Sequence, residues 1–166
     1  MFCHIVATQA DGGIGLNGNL LHRDREDLKF FAEKTRNAIV LMGRKTYESL
    51  PPGGLVGRIH VVVSKTIQGA LVFDTVEKAV RWCITRSKLY NRPVYVIGGT
   101  EIYRATFPYT TTIFKTVFHD RHKEADTFYP EIPDNFIMIH TKGTNTQYVE
   151  YVNLDHLSGQ PSHHLP

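Results

Sequence analysis

Short apolar runs alternate with helical patterns along this chain, and that alternation constrains the fold more than any other feature. The apolar runs are continuous rather than alternating with polar residues, as expected for strands covered on both faces. They lie at residues 2–8, 38–42, 59–64, 71–73 and 94–97. Helical patterns separate them at residues 25–34, 45–50, 76–87 and 101–106. This order predicts an α/β layered domain with a mainly parallel sheet.

The last third of the chain has a different pattern. Residues 111–119, 136–140 and 148–153 have strand character with no helical pattern between them, which predicts an antiparallel edge to the sheet. Residues 158–166 are polar and contain proline, which is typical of a loose tail. The length of 166 residues then predicts a single domain over residues 1–157.

Charge and composition narrow the possible partners. The formal net charge is +3, but no run of lysine and arginine indicates a nucleic-acid surface. No signal peptide or membrane span is expected. Cys3 and Cys83 lie in apolar segments, which predicts buried free thiols and a reducing, intracellular setting. The nine histidines lack metal-ligand spacing, so no metal site is expected.

Residues 12–31 read as a glycine-rich mobile loop that leads into an amphipathic helix. Leu28, Phe31, Ala32 and Thr35 recur with helical spacing, and Asp27 lies at the edge of the face they share. Apolar surroundings disfavour a charged carboxylate, which suits an acid for catalysis. Asp24 as the N-cap with Asp27 at the third helical position is an equally good interpretation. The spacing leaves catalysis and capping both open.

Three segments at the ends of predicted strands are suited to bind phosphate. Gly98-Gly99 precedes a helix start, residues 42–46 combine a glycine with Arg44 and Lys45, and Ser64-Lys65 ends a strand. Together they predict a dinucleotide bound across the sheet edge. Tight turns and solvated strand ends are the alternatives. Arg58 is suited to clamp a carboxylate and Thr116 to hydrogen-bond one, although a surface arginine and a structural strand threonine are the commoner explanations.

Several motifs in order resemble dihydrofolate reductase over residues 2–152. They are Ala7, residues 11–15, Asp27-Leu28, Phe31, residues 42–49, Gly57-Arg58, residues 96–99, Ile102-Tyr103 and residues 125–130. The resemblance implies an eight-stranded sheet with helices on both faces. It also implies hydride transfer from NADPH to 7,8-dihydrofolate, in support of one-carbon metabolism and thymidylate synthesis. A cytoplasmic monomer that is an antifolate target and binds neither nucleic acid nor membrane is expected.

The resemblance also assigns the site residue by residue. Asp27 is the acid that binds the pterin edge and promotes protonation of N5; the catalytic group is Asp27, His22, Thr116 and Tyr103. The substrate positions are Val6, Ala7, Leu28, Phe31, Leu50, Leu55, Arg58 and Ile97. The cofactor positions are Ala7, Ile14, Gly15, Leu20, Gly43, Arg44, Lys45, Thr46, Ser64, Lys65, Gly98, Gly99, Thr100, Glu101 and Ile102.

Two positions depart from the family pattern. Leu21-His22 stands where the family has Pro-Trp. Three interpretations of His22 stay open: it replaces the hydrogen bond of the missing indole, it contributes a titratable group, or it points to solvent. Glu101 stands where the family often has a cation, which weakens the preference for NADPH over NADH. A related pteridine or pyrimidine reductase, and a nucleotide- or folate-binding protein with lost or weak turnover, are the alternative functions.

Overall fold

A computed structural model describes residues 1–69 and 71–157, and its centre is an eight-stranded sheet in the order β10-β11-β8-β1-β7-β4-β5-β6. The strands are β1 (Phe2–Gln9), β4 (Ile39–Gly43), β5 (Ile59–Val63), β6 (Val72–Phe73), β7 (Val94–Gly98), β8 (Thr112–Phe118), β10 (Phe136–Lys142) and β11 (Thr146–Asn153). The strands from β8 to β6 pair in parallel, whereas β11 pairs antiparallel with both β8 and β10. The predicted mainly parallel sheet with an antiparallel C-terminal edge is confirmed.

Helices cover both faces of this sheet. They are α1 (Arg25–Lys34), α2 (Arg44–Ser49), α3 (Val76–Tyr90), α4 (Thr100–Thr106) and α5 (Leu154–Leu157). Because side chains alternate along a strand, Ile39 and Leu41 of β4 face a first apolar cluster with α3 and α4. Val40 and Met42 face a second cluster, against which Phe31 of α1 packs. The predicted two-sided burial is confirmed, and it explains why the strands are apolar without interruption.

The glycine-rich loop predicted at the start of residues 12–31 instead contains two strands of a second, three-stranded sheet. Strands β2 (Gly13–Leu16) and β3 (Asn19–Leu20) form a hairpin, and β2 also pairs with β9 (Thr127–Phe128). Asn17 and Gly18 have positive φ angles at the hairpin turn. The sequence signal was weak because the strands are short and glycine-rich, and because β9 lies more than a hundred residues away.

Further features concern the cysteines, membrane-spanning helices, metal ligands and the C-terminal tail. Cys3 and Cys83 are free and buried as predicted, and burial raises the pKa of each thiol to about 12. No helix among the described residues is long and apolar enough to span a membrane. Within the same residues, no group of three histidine, cysteine or acidic side chains is arranged to hold a metal ion. The tail predicted at residues 158–166 lies outside the described residues.

Candidate active site

Asp27 on α1 and Thr116 on β8 form a polar contact between a helix and the sheet. Asp24 is the N-cap of α1, because its side chain accepts a hydrogen bond of 2.9 Å from the backbone N–H of Asp27. The carboxylate of Asp27 instead accepts a hydrogen bond of 2.7 Å from the hydroxyl of Thr116. The two interpretations of the sequence are thus divided between two residues: Asp24 caps the helix, and Asp27 presents its carboxylate to the sheet.

The surroundings of Asp27 shift its protonation equilibrium. Burial raises the pKa of the carboxyl above its ordinary value, and the negative charge of Asp24 raises it further. The hydrogen bond from Thr116 stabilises the charged form and opposes this shift. Desolvation dominates, so Asp27 holds a proton more readily than an exposed aspartate. This is the property expected of an acid that exchanges protons or supports a cation.

Apolar side chains form a wall on the face of the sheet from which Thr116 contacts this carboxylate. Phe31, Leu50 and Ile97 all pack against the second apolar cluster, although they come from three separate segments. Leu28 of the same helix is 46% exposed, so the predicted apolar face of α1 is only partly covered by the protein. An apolar surface next to a half-buried carboxylate suits a flat heteroaromatic ligand with a polar edge.

The two predicted substrate positions on β1, Val6 and Ala7, have their side chains on opposite faces of the sheet. Ala7 is the register partner of Thr116, so it lies beside the polar contact with Asp27. The side chain of Val6 belongs to the first apolar cluster and therefore points to the opposite face of the sheet. Both assignments stay predictions, and only Ala7 has its side chain on the face of the sheet that carries Thr116.

Arg58 lies against the last turn of α1. Its Nε and Nη2 atoms donate to the hydroxyl of Thr35, Nη2 also donates to the carbonyl of Ala32, and Nη1 donates to the carbonyl of Val56. Four of the five guanidinium N–H groups are thus directed at described residues. A bidentate grip on a carboxylate uses N–H groups of two guanidinium nitrogens, so at least one bond from Nη2 or Nε must be exchanged for the ligand.

The carboxyl ends of β4 and β7 bring the glycine motifs together. A Cβ atom added to Gly98 would lie 3.2 Å from the hydroxyl oxygen of Thr46, and one added to Gly43 would lie 3.3 Å from Ile102. Gly98 has a φ of +128°, and the peptide between Gly98 and Gly99 is cis. The absence of side chains at these positions leaves backbone open to close approach by a ligand. The predicted cofactor residues of the two strand ends are therefore neighbours.

Tyr103 lies beneath this glycine pair. Its hydroxyl donates a hydrogen bond of 2.8 Å to the carbonyl of Ile5, and burial raises its pKa strongly. A Cβ on Gly98 would lie 3.7 Å from the hydroxyl oxygen. A phenol that is buried, bonded and hard to ionise holds backbone in place. The geometry therefore favours a positioning role for Tyr103 over the catalytic role predicted from the resemblance.

The small sheet contributes the remaining predicted cofactor positions. Ile14 packs against the first cluster, and the carbonyl of Gly15 accepts a hydrogen bond of 3.0 Å from the backbone of Asp126. Leu20 is 59% exposed. Thr100, at the start of α4, donates to the carbonyl of Phe128 at 2.7 Å, which joins α4 to the same sheet.

Two lysines lie near the carboxyl end of β5. Ser64 and Lys65 line a cleft of about 490 Å³ with Asp74 and Lys78. Lys78 is a second lysine at this edge that the sequence patterns did not single out, and it pairs with Asp74 at 2.8 Å.

Two predicted charged positions at the helix starts are already paired. Arg44 pairs with Glu48 at 2.9 Å within α2, whereas Lys45 beside it is exposed. Glu101 forms an ion pair with Arg104 within α4. This pairing offsets the negative charge at the position where the family often has a cation.

His22 does not contact Asp27 among the described interactions. Its Nε2 lies 3.0 Å from the side-chain oxygen of Gln9, and its ring makes an edge contact with Phe118. Burial, followed by the charges of Lys123 and Arg121, lowers the pKa of His22. The role predicted for His22 as a replacement for the family's indole stays a prediction, and its contacts place it beside Gln9 and Phe118.

Patterns in the sequence missed three residues around the site. The side chain of Gln9 accepts from the backbone N–H of Lys123 and donates to its carbonyl, while the amine of Lys123 donates to the carbonyl of Leu21 at 2.8 Å. Tyr148 pairs in register with Thr116, and its ring makes a tilted contact with the ring of Phe30. These contacts join segments that are distant in the chain, and no local motif marks them.

Comparison with known proteins identifies the family. The sequence profile described as dihydrofolate reductase matches residues 1–157. The chain belongs to the dihydrofolate reductase family. It is 38% identical over 122 residues to the dihydrofolate reductase type 9 of Escherichia coli, covering 68% of this chain and 67% of the relative. The dihydrofolate reductase of Enterococcus faecium is 35% identical over 134 residues, with 80% of this chain and 79% of the relative covered.

A solved structure extends the similarity to three dimensions. The dihydrofolate reductase of Enterococcus faecalis, complexed with NADP(H) and RAB-propyl, superposes with a TM-score of 0.81 at 27% identity. The match covers 92% of this chain and 96% of that protein. As a member of the dihydrofolate reductase family, the chain is an NADPH-dependent oxidoreductase that reduces 7,8-dihydrofolate to tetrahydrofolate. The predicted family, fold, cofactor and activity are confirmed.

Proposed function

We propose that Asp27 is the catalytic acid of this reductase, that Thr116 positions its carboxylate, and that Arg58 binds the carboxylate end of the substrate. The observation that carries this proposal is the 2.7 Å hydrogen bond from Thr116 to a carboxylate whose pKa is raised by burial. A structural aspartate at the third position of a helix has no need of such a partner on the sheet.

The carboxylate of Asp27 acts on the pterin by charge and by hydrogen bonding. Thr116 occupies one oxygen, which leaves the carboxylate able to accept hydrogen bonds from the amidine-like edge of the pterin. A negative group at that edge stabilises positive charge on the ring and so promotes protonation at N5. The apolar wall of Phe31, Leu50 and Ile97 keeps the interaction in a medium of low polarity, where it is stronger.

The strand ends of β4 and β7 fit a dinucleotide. NADPH supplies the hydride when it is bound, and the protein supplies the surface that orients it. Gly98 and Gly99 present bare backbone beside the hydroxyl of Thr46, which suits the approach of a pyrophosphate. Lys65, Lys78 and the exposed Lys45 supply positive charge for the additional phosphate of NADPH.

The acid role of Asp27 is tested by Asp27→Asn with Glu26→Gln as the matched control. Oxidation of NADPH is followed with dihydrofolate at pH 7. Because a positioned acid contributes about 10²–10⁴-fold, Asp27→Asn should lower kcat/KM by on the order of that factor and leave NADPH affinity intact. Glu26 is exposed on the same turn, and its variant should retain full activity. Unchanged turnover in Asp27→Asn would reject the assignment, and tight binding without turnover in the unmodified protein would favour a binding protein.

Binding of the substrate carboxylate by Arg58 is tested with two substrates. Since hydrogen bonds to charged groups contribute about 1.5–3 kcal/mol, Arg58→Leu should raise the KM for dihydrofolate roughly 10- to 100-fold. The KM for a simple dihydropterin without the glutamate should change little. An equal rise for both substrates would show instead that the variant disturbs the loop and the end of α1.

We further propose that residues 1–157 act as one domain of a cytoplasmic monomer that takes small molecules and neither nucleic acid nor membrane. The modest net charge of +3, without a lysine- and arginine-rich run, supports this partner class. Light scattering after gel filtration should give a single mass near 18.9 kDa. A mass of twice that value would overturn the monomer.

A further inference from the structure

The loop between α2 and β5, residues 50–58, carries both Leu55 and Arg58 toward the proposed substrate site. It is a tight structure in which the backbone N–H of Gly54 donates to the carbonyl of Pro51 at 2.8 Å. The backbone N–H of Arg58 donates to the carbonyl of Leu55 at 3.3 Å. The position of the Leu55 backbone therefore influences the position of the Arg58 backbone.

His60 closes this loop from β5. Its Nε2 accepts a hydrogen bond of 2.9 Å from the backbone N–H of Leu55. Gly54 packs so closely on the ring that an added Cβ would lie 2.7 Å from Nε2, and its φ is +72°. The loop is thus shaped around one imidazole, and the glycine permits the close approach.

This contact requires a neutral imidazole. A ring nitrogen accepts a hydrogen bond only while it is unprotonated, so protonation would turn Nε2 into a donor that faces another donor. Burial and the charge of Arg58 both lower the pKa of His60, which keeps the ring neutral at pH 7. Besides Arg58, the contacts given for His60 among the described residues come from groups that do not titrate: Gly54 and Leu55 of the loop, with Val40 of β4 as its register partner.

We propose that His60 is a positioning residue that holds the 50–58 loop for the tail of dihydrofolate, and that protonation of His60 releases the loop and weakens substrate binding at acidic pH. The inference rests on the proposed placement of Leu55 and Arg58 at the substrate tail. The hydride step and the binding of NADPH lie elsewhere and are independent of this contact.

The test compares the wild type with His60→Gln, whose side-chain oxygen accepts a hydrogen bond but does not ionise. KM for dihydrofolate is measured at pH 7.5 and at a pH below the midpoint that an NMR titration gives for the His60 ring. The ratio of the two KM values should be roughly fivefold larger in the wild type than in His60→Gln, the factor expected when one hydrogen bond is lost. The corresponding ratios for NADPH should agree between the two proteins. Equal ratios for dihydrofolate would overturn the proposal.

A substrate without the tail separates this inference from the proposed function. A dihydropterin that lacks the benzoylglutamate group should show the same pH ratio in both proteins, because it does not reach the loop. An effect of equal size with this substrate would also overturn the role of His60. Absence of turnover by the wild type at any pH would contradict the proposed function instead.

A measurement on the wild type keeps the test independent of the variant's folding. In an NMR titration, the amide signal of Leu55 should shift with the same midpoint as the ring of His60. A Leu55 amide that does not respond while His60 titrates would overturn the proposal. His60→Asn serves as the second variant if His60→Gln does not fold.

Discussion

The hydroxyl of Thr116 on β8 donates a hydrogen bond of 2.7 Å to the carboxylate of Asp27 on α1, and the two residues are 89 positions apart in the sequence. Thr116 is 2% exposed, so this hydrogen bond is formed with little competition from water. It fixes one oxygen of the carboxylate toward the sheet and leaves the other for a ligand. The bond also limits how far burial raises the pKa of Asp27.

Thr116→Val removes that bond while keeping the shape of the side chain. The pKa of Asp27 should rise, because the bond stabilises the charged form. A hydrogen bond to a charged group contributes about 1.5–3 kcal/mol, so kcat/KM at pH 7 should fall at least about tenfold. The measurements are the pH profile of kcat/KM and a carboxyl NMR titration. Thr112→Val, on the same strand, is the control; equal profiles for the two variants would contradict the prediction.

Asp27 should lower the stability of the folded protein at neutral pH. Its raised pKa means that the native state favours the protonated form, a contribution present below the ordinary value of 3.8 and lost as pH rises through the raised pKa. Asp27→Asn should therefore raise the urea midpoint at pH 7, and the gain should shrink at pH 3.5. Glu26→Gln should leave the midpoint unchanged. A lower midpoint for Asp27→Asn at pH 7 would refute this expectation.

His4 makes the fold sensitive to acid. It is fully buried between Tyr129 and Thr106, which lie 2.7 Å from its two ring nitrogens, and burial lowers its pKa from 6.5 to about 3. In the unfolded chain, His4 is therefore protonated as pH falls through about 6.5, whereas in the native state it stays neutral down to about pH 3. The stability from neutral His4 is complete above pH 6.5 and is lost as pH falls, by up to a few kcal/mol.

The stability of His4 variants can be followed by urea unfolding between pH 8 and pH 4. His4→Gln should show a flatter dependence on pH than the wild type, whatever its absolute stability. His140→Gln, at an exposed position on β10, should keep the wild-type slope. Identical slopes in all three proteins would rule out His4 as the source of the acid sensitivity.

Gly143 turns the hairpin between β10 and β11 with a φ of +93°. A Cβ there would overlap the carbonyl oxygen of Thr146. Gly143→Ala should cost about 3 kcal/mol of unfolding free energy, since backbone strain and the steric overlap add. Gly18→Ala, with a φ of +79° and no atom near the added Cβ, should cost about 1 kcal/mol. Equal costs in chemical denaturation would contradict the steric argument.

Most strands of the sheet could be predicted because buried strands require continuous apolar runs, which are visible in the sequence. Residues 38–42 and 94–97 are continuously apolar, and they form the central strands β4 and β7. The hairpin of β2 and β3 gave no such signal, because its strands are short and most of their residues are not buried. Its pairing with Thr127–Phe128 depends on contacts across the whole domain.

The residues of the site divide in the same way. Asp27, Arg58 and the glycine pair could be singled out because an acid at the edge of a helix, a cation and a Gly-Gly step are visible in sequence. Their partners could not: Val6 and Ala7 are adjacent in sequence, yet only the pleat places Val6 on the far face. The contacts of His22 with Gln9 and of Leu55 with His60 likewise required coordinates.

The sequence by itself determined the class of fold and the family, because apolar periodicity and ordered motifs are local properties of the chain. Only the tertiary structure decided what Asp27 does. Its backbone N–H donates to the capping side chain of Asp24, and its carboxylate accepts a hydrogen bond from Thr116. The physical reason is that desolvation and hydrogen bonding depend on which side chains meet in space, and parallel strands bring together residues that are far apart in sequence.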